Sequence, residues 1–132
     1  MISMNYNIIV KPGKTREFEQ VMDCIINDLA KDKECLSCDF KRNDKIKEQY
    51  FLYSEWQDIE ALKKHFMTEL FSLLQGAFAV LCMSQRIEIT KETAKVNIDF
   101  SDLNNYSWEQ IYDKLNAALM ELDDSEKVIK TM

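Results

Sequence analysis

The one histidine of the chain, His65, lies near the end of the stretch YSEWQDIEALKKHF, which runs from Tyr53 to Phe66. Imidazole is the side chain whose ordinary pKa lies near neutrality, so His65 is the first candidate for a general base. It follows Leu62 by three residues and Ile59 by six, with Lys63 and Lys64 on the outer side of the same short helix. That spacing turns the ring toward the apolar face or its rim, where a packed, hydrogen-bonded histidine is the competing reading. Without a second histidine only a mixed histidine and carboxylate set could hold a metal, and no metal site is expected.

Two further groups invite a chemical reading. Cys35-Leu36-Ser37-Cys38 has the CxxC spacing of redox pairs and zinc sites. It falls in a predicted strand, where residues three apart point to opposite faces, so the thiols are expected to point away from each other. A redox pair also normally opens a helix, and no second CxxC completes a zinc site. Glu55, beside Trp56, is expected to need a cation, with Arg86 or Arg42 as the partner. Only two glycines are present, so no glycine-rich phosphate loop or nucleophile elbow exists.

The elements that must position these residues follow from periodicity. Met4 to Val10 alternates as a strand; Pro12-Gly13 breaks it; Phe18, Val21, Met22, Ile25, Ile26 and Leu29 then recur at helical spacing over about Lys14 to Ala30. Cys35 to Arg42 and Gln49 to Trp56 read as an antiparallel hairpin joined by polar turn residues. Asp58 can cap a helix through about His65, Thr68 can cap a longer one through about Leu81, and Met83 to Thr90 reads as a strand. The order β-α-β-β-α-β predicts an α+β, ferredoxin-like split βαββαβ fold, one antiparallel sheet with its helices on one face.

After Glu92 the pattern changes. Lys95 to Phe100 alternates like a further strand, and Ser107 or Asn105 could cap a helix striped by Trp108, Ile111, Tyr112, Leu115, Leu119 and Leu122. The expected division is a domain over residues 1–92 and a C-terminal strand and helix extension over 93–132, docked on its own domain or on a partner. From Lys95 onward the chain has four basic and eight acidic residues, a net −4 of the formal −6. An acidic chain whose densest basic run, Lys41 to Lys47, is broken by Asp44 is not expected to bind nucleic acid. No charged leader and no apolar run of membrane-spanning length is visible, so a cytoplasmic location and reduced cysteines are the expectation.

On the third strand Tyr50, Leu52 and Trp56 point one way and Phe51 and Tyr53 the other. A sheet with aromatic residues on both faces is expected to be covered on its second face as well, and a second copy of the chain, giving a homodimer, is the simplest cover.

Pro12-Gly13-Lys14 ahead of the first helix, and above all the run Phe51-Leu52-Tyr53-Ser54-Glu55-Trp56 followed by a short helix carrying His65, resemble the antibiotic biosynthesis monooxygenase domain family over about Met4 to Thr90. The resemblance implies a dimeric α+β barrel built through the sheets, with a small apolar pocket between sheet and helices. It also implies oxidation of a quinol, anthrone or similar small aromatic ligand by oxygen, with no metal or flavin cofactor. Carried over by position, His65 would take a proton from the substrate and Trp56 would wall the pocket. Asn7, Tyr53 and Arg86, chosen by strand position, would polarise the substrate oxygen. Haem degradation is disfavoured, because no histidine stands around Leu73 to Gln75. The chain also departs from the family pattern at Lys33-Glu34, where a Pro-Gly pair is usual. Fold membership alone does not fix a reaction, so a non-catalytic dimeric module that binds a small ligand or mediates assembly is the alternative.

Overall fold

The computed structural model describes the backbone of residues 1–101 and 105–131, and side chains within these as far as residue 123. Its elements are β1 (Ile2–Val10), α1 (Thr15–Leu29), β2 (Cys35–Arg42), β3 (Gln49–Trp56), α2 (Ile59–Phe66), α3 (Glu69–Leu81), β4 (Cys82–Lys91), β5 (Ala94–Phe100) and α4 (Trp108–Thr131). The strands form one antiparallel sheet in the order β2-β3-β1-β4-β5. The α+β, ferredoxin-like arrangement expected from the pattern is present, with β5 added at the β4 edge.

Local signals explain the breaks. Pro12 removes a donor and Gly13 takes φ +81°, which turns the chain out of β1 and into α1. Asp58 accepts from Ala61 N at 2.8 Å to start α2, and Thr68 Oγ1 accepts from Phe71 N at 3.2 Å to start α3. At α4, Ser107 Oγ accepts from Gln110 N (3.2 Å) while Gln110 Oε1 accepts from Ser107 N (2.8 Å), a reciprocal capping box.

Alternation divides the sheet into a dry face and a wet one. Ile2, Met4, Tyr6, Ile8 and Val10 of β1 are buried beneath the helices, as are Tyr50, Leu52 and Trp56 of β3 and Ile87 and Ile89 of β4. Phe18, Met22, Ile25 and Leu29 of α1 and Phe71, Leu74, Phe78 and Leu81 of α3 complete the core. Ile111, Leu115, Leu119 and Leu122 extend it under α4, which packs on β5. Among the described residues no helix is long and apolar enough to cross a membrane.

Two sequence expectations are corrected here. A register shift between Cys35 and Ser37 makes Leu36 the extra residue of a β-bulge, so that Cys35 lies opposite Trp56 and Cys38 opposite Ser54. Both free thiols therefore share the inner face and pack against the core instead of pointing apart. Burial pushes Cys38 up to about 11, with Cys35 and Asp39 adding to the effect, and burial raises Cys35 as well. Protonated thiols are poor nucleophiles and poor metal ligands. Glu55, in turn, finds no arginine. It accepts a short hydrogen bond from Tyr53 Oη, while Arg86 pairs with Asp99 of β5 at 3.3 Å and Arg42 with Glu19 of α1 at 3.6 Å. The added strand sets Asp99 directly opposite Arg86, and that cross-strand neighbour takes the guanidinium.

Candidate active site

The Asp58 cap fixes where α2 begins, and with it which residues of the helix look inward. Ile59, Leu62, His65 and Phe66 fall on the buried side, so His65 is 4% exposed. Trp56, the last residue of β3, closes the same region from the sheet. Its ring stacks on the His65 imidazole with centroids 4.3 Å apart and planes at 28°. Phe71 meets the imidazole edge-on at 5.2 Å and Phe66 lies at 6.2 Å, giving His65 an aromatic enclosure. The Trp56 indole is held in place by its N–H, which donates to Ser54 Oγ at 3.0 Å.

His65 Nδ1 has no hydrogen-bond partner within this enclosure. Burial pushes the imidazole pKa down to about 4, and the Asp32 carboxylate pulls weakly in the other direction. At neutral pH the ring is therefore uncharged, with an unpartnered nitrogen in a dry, aromatic setting. A neutral imidazole can accept a proton, although a low pKa makes it a weak base until an anion forms beside it.

The five residues selected from the sequence divide between the two faces of the sheet. His65 and Trp56 are brought into direct contact. Asn7 and Arg86 lie directly opposite each other in the register of β1 and β4, on the outer face, where both line a shallow recess of about 220 Å³ with Gln49 and Asp99. Asn7 Oδ1 there accepts from Gln49 Nε2 at 2.9 Å. Tyr53 lines a second outer recess of about 170 Å³ with Glu55 and Thr90, and its bond to Glu55, followed by partial burial, raises its pKa. The structure does not bring Asn7, Tyr53 or Arg86 to His65, because period-2 alternation sends their side chains through the opposite side of the sheet.

A third recess, of about 530 Å³, opens where the α2–α3 corner meets the start of α4. Phe66 lines it, and Phe71 joins His65 to Trp108 through ring contacts of 5.2 and 5.7 Å. Neither His65 nor Trp56 lines any of these three recesses.

One polar group escaped the sequence reading. Gln75 and Gln85 are 3% and 0% exposed, joined by a 2.8 Å hydrogen bond from Gln85 Nε2 to Gln75 Oε1. Gln85 Oε1 has no further partner; burial raises the Tyr6 pKa, and a hydrogen bond from the Gln75 side chain to its hydroxyl lowers it in part. The signal was present in the pattern: Gln75 sits between Leu74 and Phe78 on the α3 stripe, and Gln85 shares the inward alternation of Ile87 and Ile89. Among the described residues no group of three or more histidine, cysteine or acidic side chains is gathered as metal ligands would be.

No curated protein sequence matches this chain. Solved structures do. Protein PA3566 from Pseudomonas aeruginosa matches with a TM-score of 0.64 at 19% identity, over 70% of this chain and 94% of that one. Protein SO0527 from Shewanella oneidensis matches with a TM-score of 0.63 at 16% identity, over 74% and 91%. A variant of SnoaB, a cofactor-independent oxygenase from Streptomyces nogalater, matches with a TM-score of 0.62 at 15% identity, over 70% and 93%. At these identities the likeness is one of fold. The family model for antibiotic biosynthesis monooxygenase matches residues 1–76, a span that contains β1 through α2, Trp56 and His65 included. The chain therefore belongs to the antibiotic biosynthesis monooxygenase family.

Proposed function

We propose that this protein is a monooxygenase that oxidises a small electron-rich aromatic, a quinol or an anthrone, with O2 and without a resident cofactor. Family membership supports a monooxygenase-like role, and one fold neighbour is a cofactor-independent oxygenase. The observation that carries the residue assignment is the uncharged His65, stacked on Trp56 with Nδ1 unpartnered. In this reading Nδ1 takes the proton of a substrate hydroxyl and the resulting anion reacts with O2. An anthrone methylene then becomes a carbonyl and the second oxygen leaves as water carrying the two methylene hydrogens, so the substrate itself supplies all four electrons that O2 takes up. Trp56, Phe66 and Phe71 would exclude water from the anion.

We further propose that a second copy covers the outer sheet face. Phe51, 36% exposed, and Tyr53 lie there among polar residues, and the recesses lined by Asn7, Arg86 and Tyr53 would become interface cavities. A light-scattering mass of two chains is expected; one chain at micromolar concentration contradicts it.

The alternative, a ligand-binding module without turnover, is favoured by the depth of His65 and its absence from the lining of the three recesses. Oxygen uptake by metal-free protein over a panel of quinols and anthrones separates the two. Uptake lost in His65→Ala supports the oxygenase; uptake unchanged in that variant removes His65 from the mechanism.

A further inference from the structure

The recess at the start of α4 has a chemistry of its own. Phe66, Met67, Trp108 and Tyr112 give it aromatic and thioether walls, and its charged lining residues are two carboxylates, Glu69 and Glu109. At about 530 Å³ it has the size of a small-molecule site. Trp108 is 42% exposed and Met67 75% exposed, so a large soft surface stands open beside the acids.

Among the residues with described side chains, the lysines of the surrounding helices are engaged elsewhere. Lys63 pairs with Glu60 at 3.5 Å, Lys64 with Glu34 at 3.5 Å, and Lys114 lies over the Phe100 and Tyr106 rings at 5.8 and 5.1 Å. The starts of α3 and α4 place about half a positive charge each near the recess, which the two full carboxylate charges in their first turns exceed. Aromatic faces combined with excess negative charge are the elements that recognise an organic cation.

We propose that this recess binds a small aromatic or alkyl ammonium cation, seated against Trp108 and Tyr112 with its charge toward Glu69 and Glu109. Trp108, Glu109 and Tyr112 belong to α4, outside the span matched by the family model, so this chain's C-terminal segment completes a recess whose other wall, Glu69 included, lies within that span. It does not depend on the oxygenase reading, because His65 takes no part in it.

The test is calorimetric titration of the full chain with benzyltrimethylammonium, benzyl alcohol and phenylacetate at low salt. The cation is expected to bind at least ten-fold more tightly than the neutral probe and to weaken with added salt. Glu69→Gln combined with Glu109→Gln, both exposed positions, should remove that advantage while leaving benzyl alcohol binding within two-fold. Equal affinity for cation and alcohol, preference for the anion, no binding by folded protein, or cation binding unaffected by the double substitution would each overturn the proposal.

Discussion

The two faces of one sheet carry similar side-chain chemistry and satisfy it to different degrees. On the outer face polar groups find each other: Arg86 with Asp99, Asn7 with Gln49, Tyr53 with Glu55. On the inner face His65 Nδ1 and Gln85 Oε1 are buried and unpartnered. A buried polar group without a partner costs about 1–3 kcal/mol, so the inner face holds hydrogen-bonding capacity that the core itself does not use.

The contrast can be broken most sharply at the aromatic anchors. Trp56→Ala empties a fully buried site and should destabilise the protein by about 3–5 kcal/mol, whereas Tyr53→Ala on the half-buried outer face should cost about 1 kcal/mol or less. Urea denaturation midpoints measure both. Similar losses from the two would show that the outer face is packed as firmly as the inner one.

A slightly smaller effect should come from pH. The His65 pKa lies at about 4 in the folded protein against 6.5 for the free side chain. As pH falls below about 6.5 the unfolded chain gains a proton that the folded chain refuses. Stability attributable to His65 is thus complete above pH 6.5 and falls by about 3 kcal/mol on the way to pH 4. Subtracting the profile of His65→Leu from that of the wild type isolates this loss. A flat difference would mean that the imidazole is solvated.

The buried amide pair predicts a non-additive cycle. Gln85→Leu alone strands the Gln75 amide and should cost about 1–3 kcal/mol, while Gln75→Leu with Gln85→Leu should cost less than either single change. Additive losses would argue that the amides have partners of their own. Least affected should be Arg86→Ala, which removes an ion pair whose side chains are 64% and 56% exposed and should change stability by about 0.5 kcal/mol or less.

How much of this was legible in the sequence depended on whether a feature is local. Pro12-Gly13 and the caps at Asp58, Thr68 and Ser107 act within three or four residues, so each break could be read directly. The inward turn of His65 followed from its spacing to Ile59 and Leu62. Its stacking on Trp56 did not, because that contact needs the end of β3 to meet α2. The Leu36 bulge was hidden for the same reason, since a register shift belongs to a pair of strands and single-strand alternation does not contain it. That Arg86 pairs with Asp99, and not with Glu55, cannot be read from β4 alone, because nothing in that strand announces which strand becomes its second neighbour. Gln75 and Gln85 are legible in principle as polar residues at apolar positions, although amides at such positions read first as breaks in the stripe.

In the proposed function the chemistry takes place on the helix-covered face, around His65 and Trp56. The most direct measurement is kcat/KM for O2-dependent oxidation of the best quinol or anthrone by wild type, His65→Gln and Arg86→Ala, with folding checked by circular dichroism. A loss of about 100-fold or more is expected in His65→Gln, the scale of a missing general base, and a change of no more than about three-fold in Arg86→Ala. A large loss in Arg86→Ala with His65→Gln near wild type would contradict it and move the reaction to the outer face of the sheet.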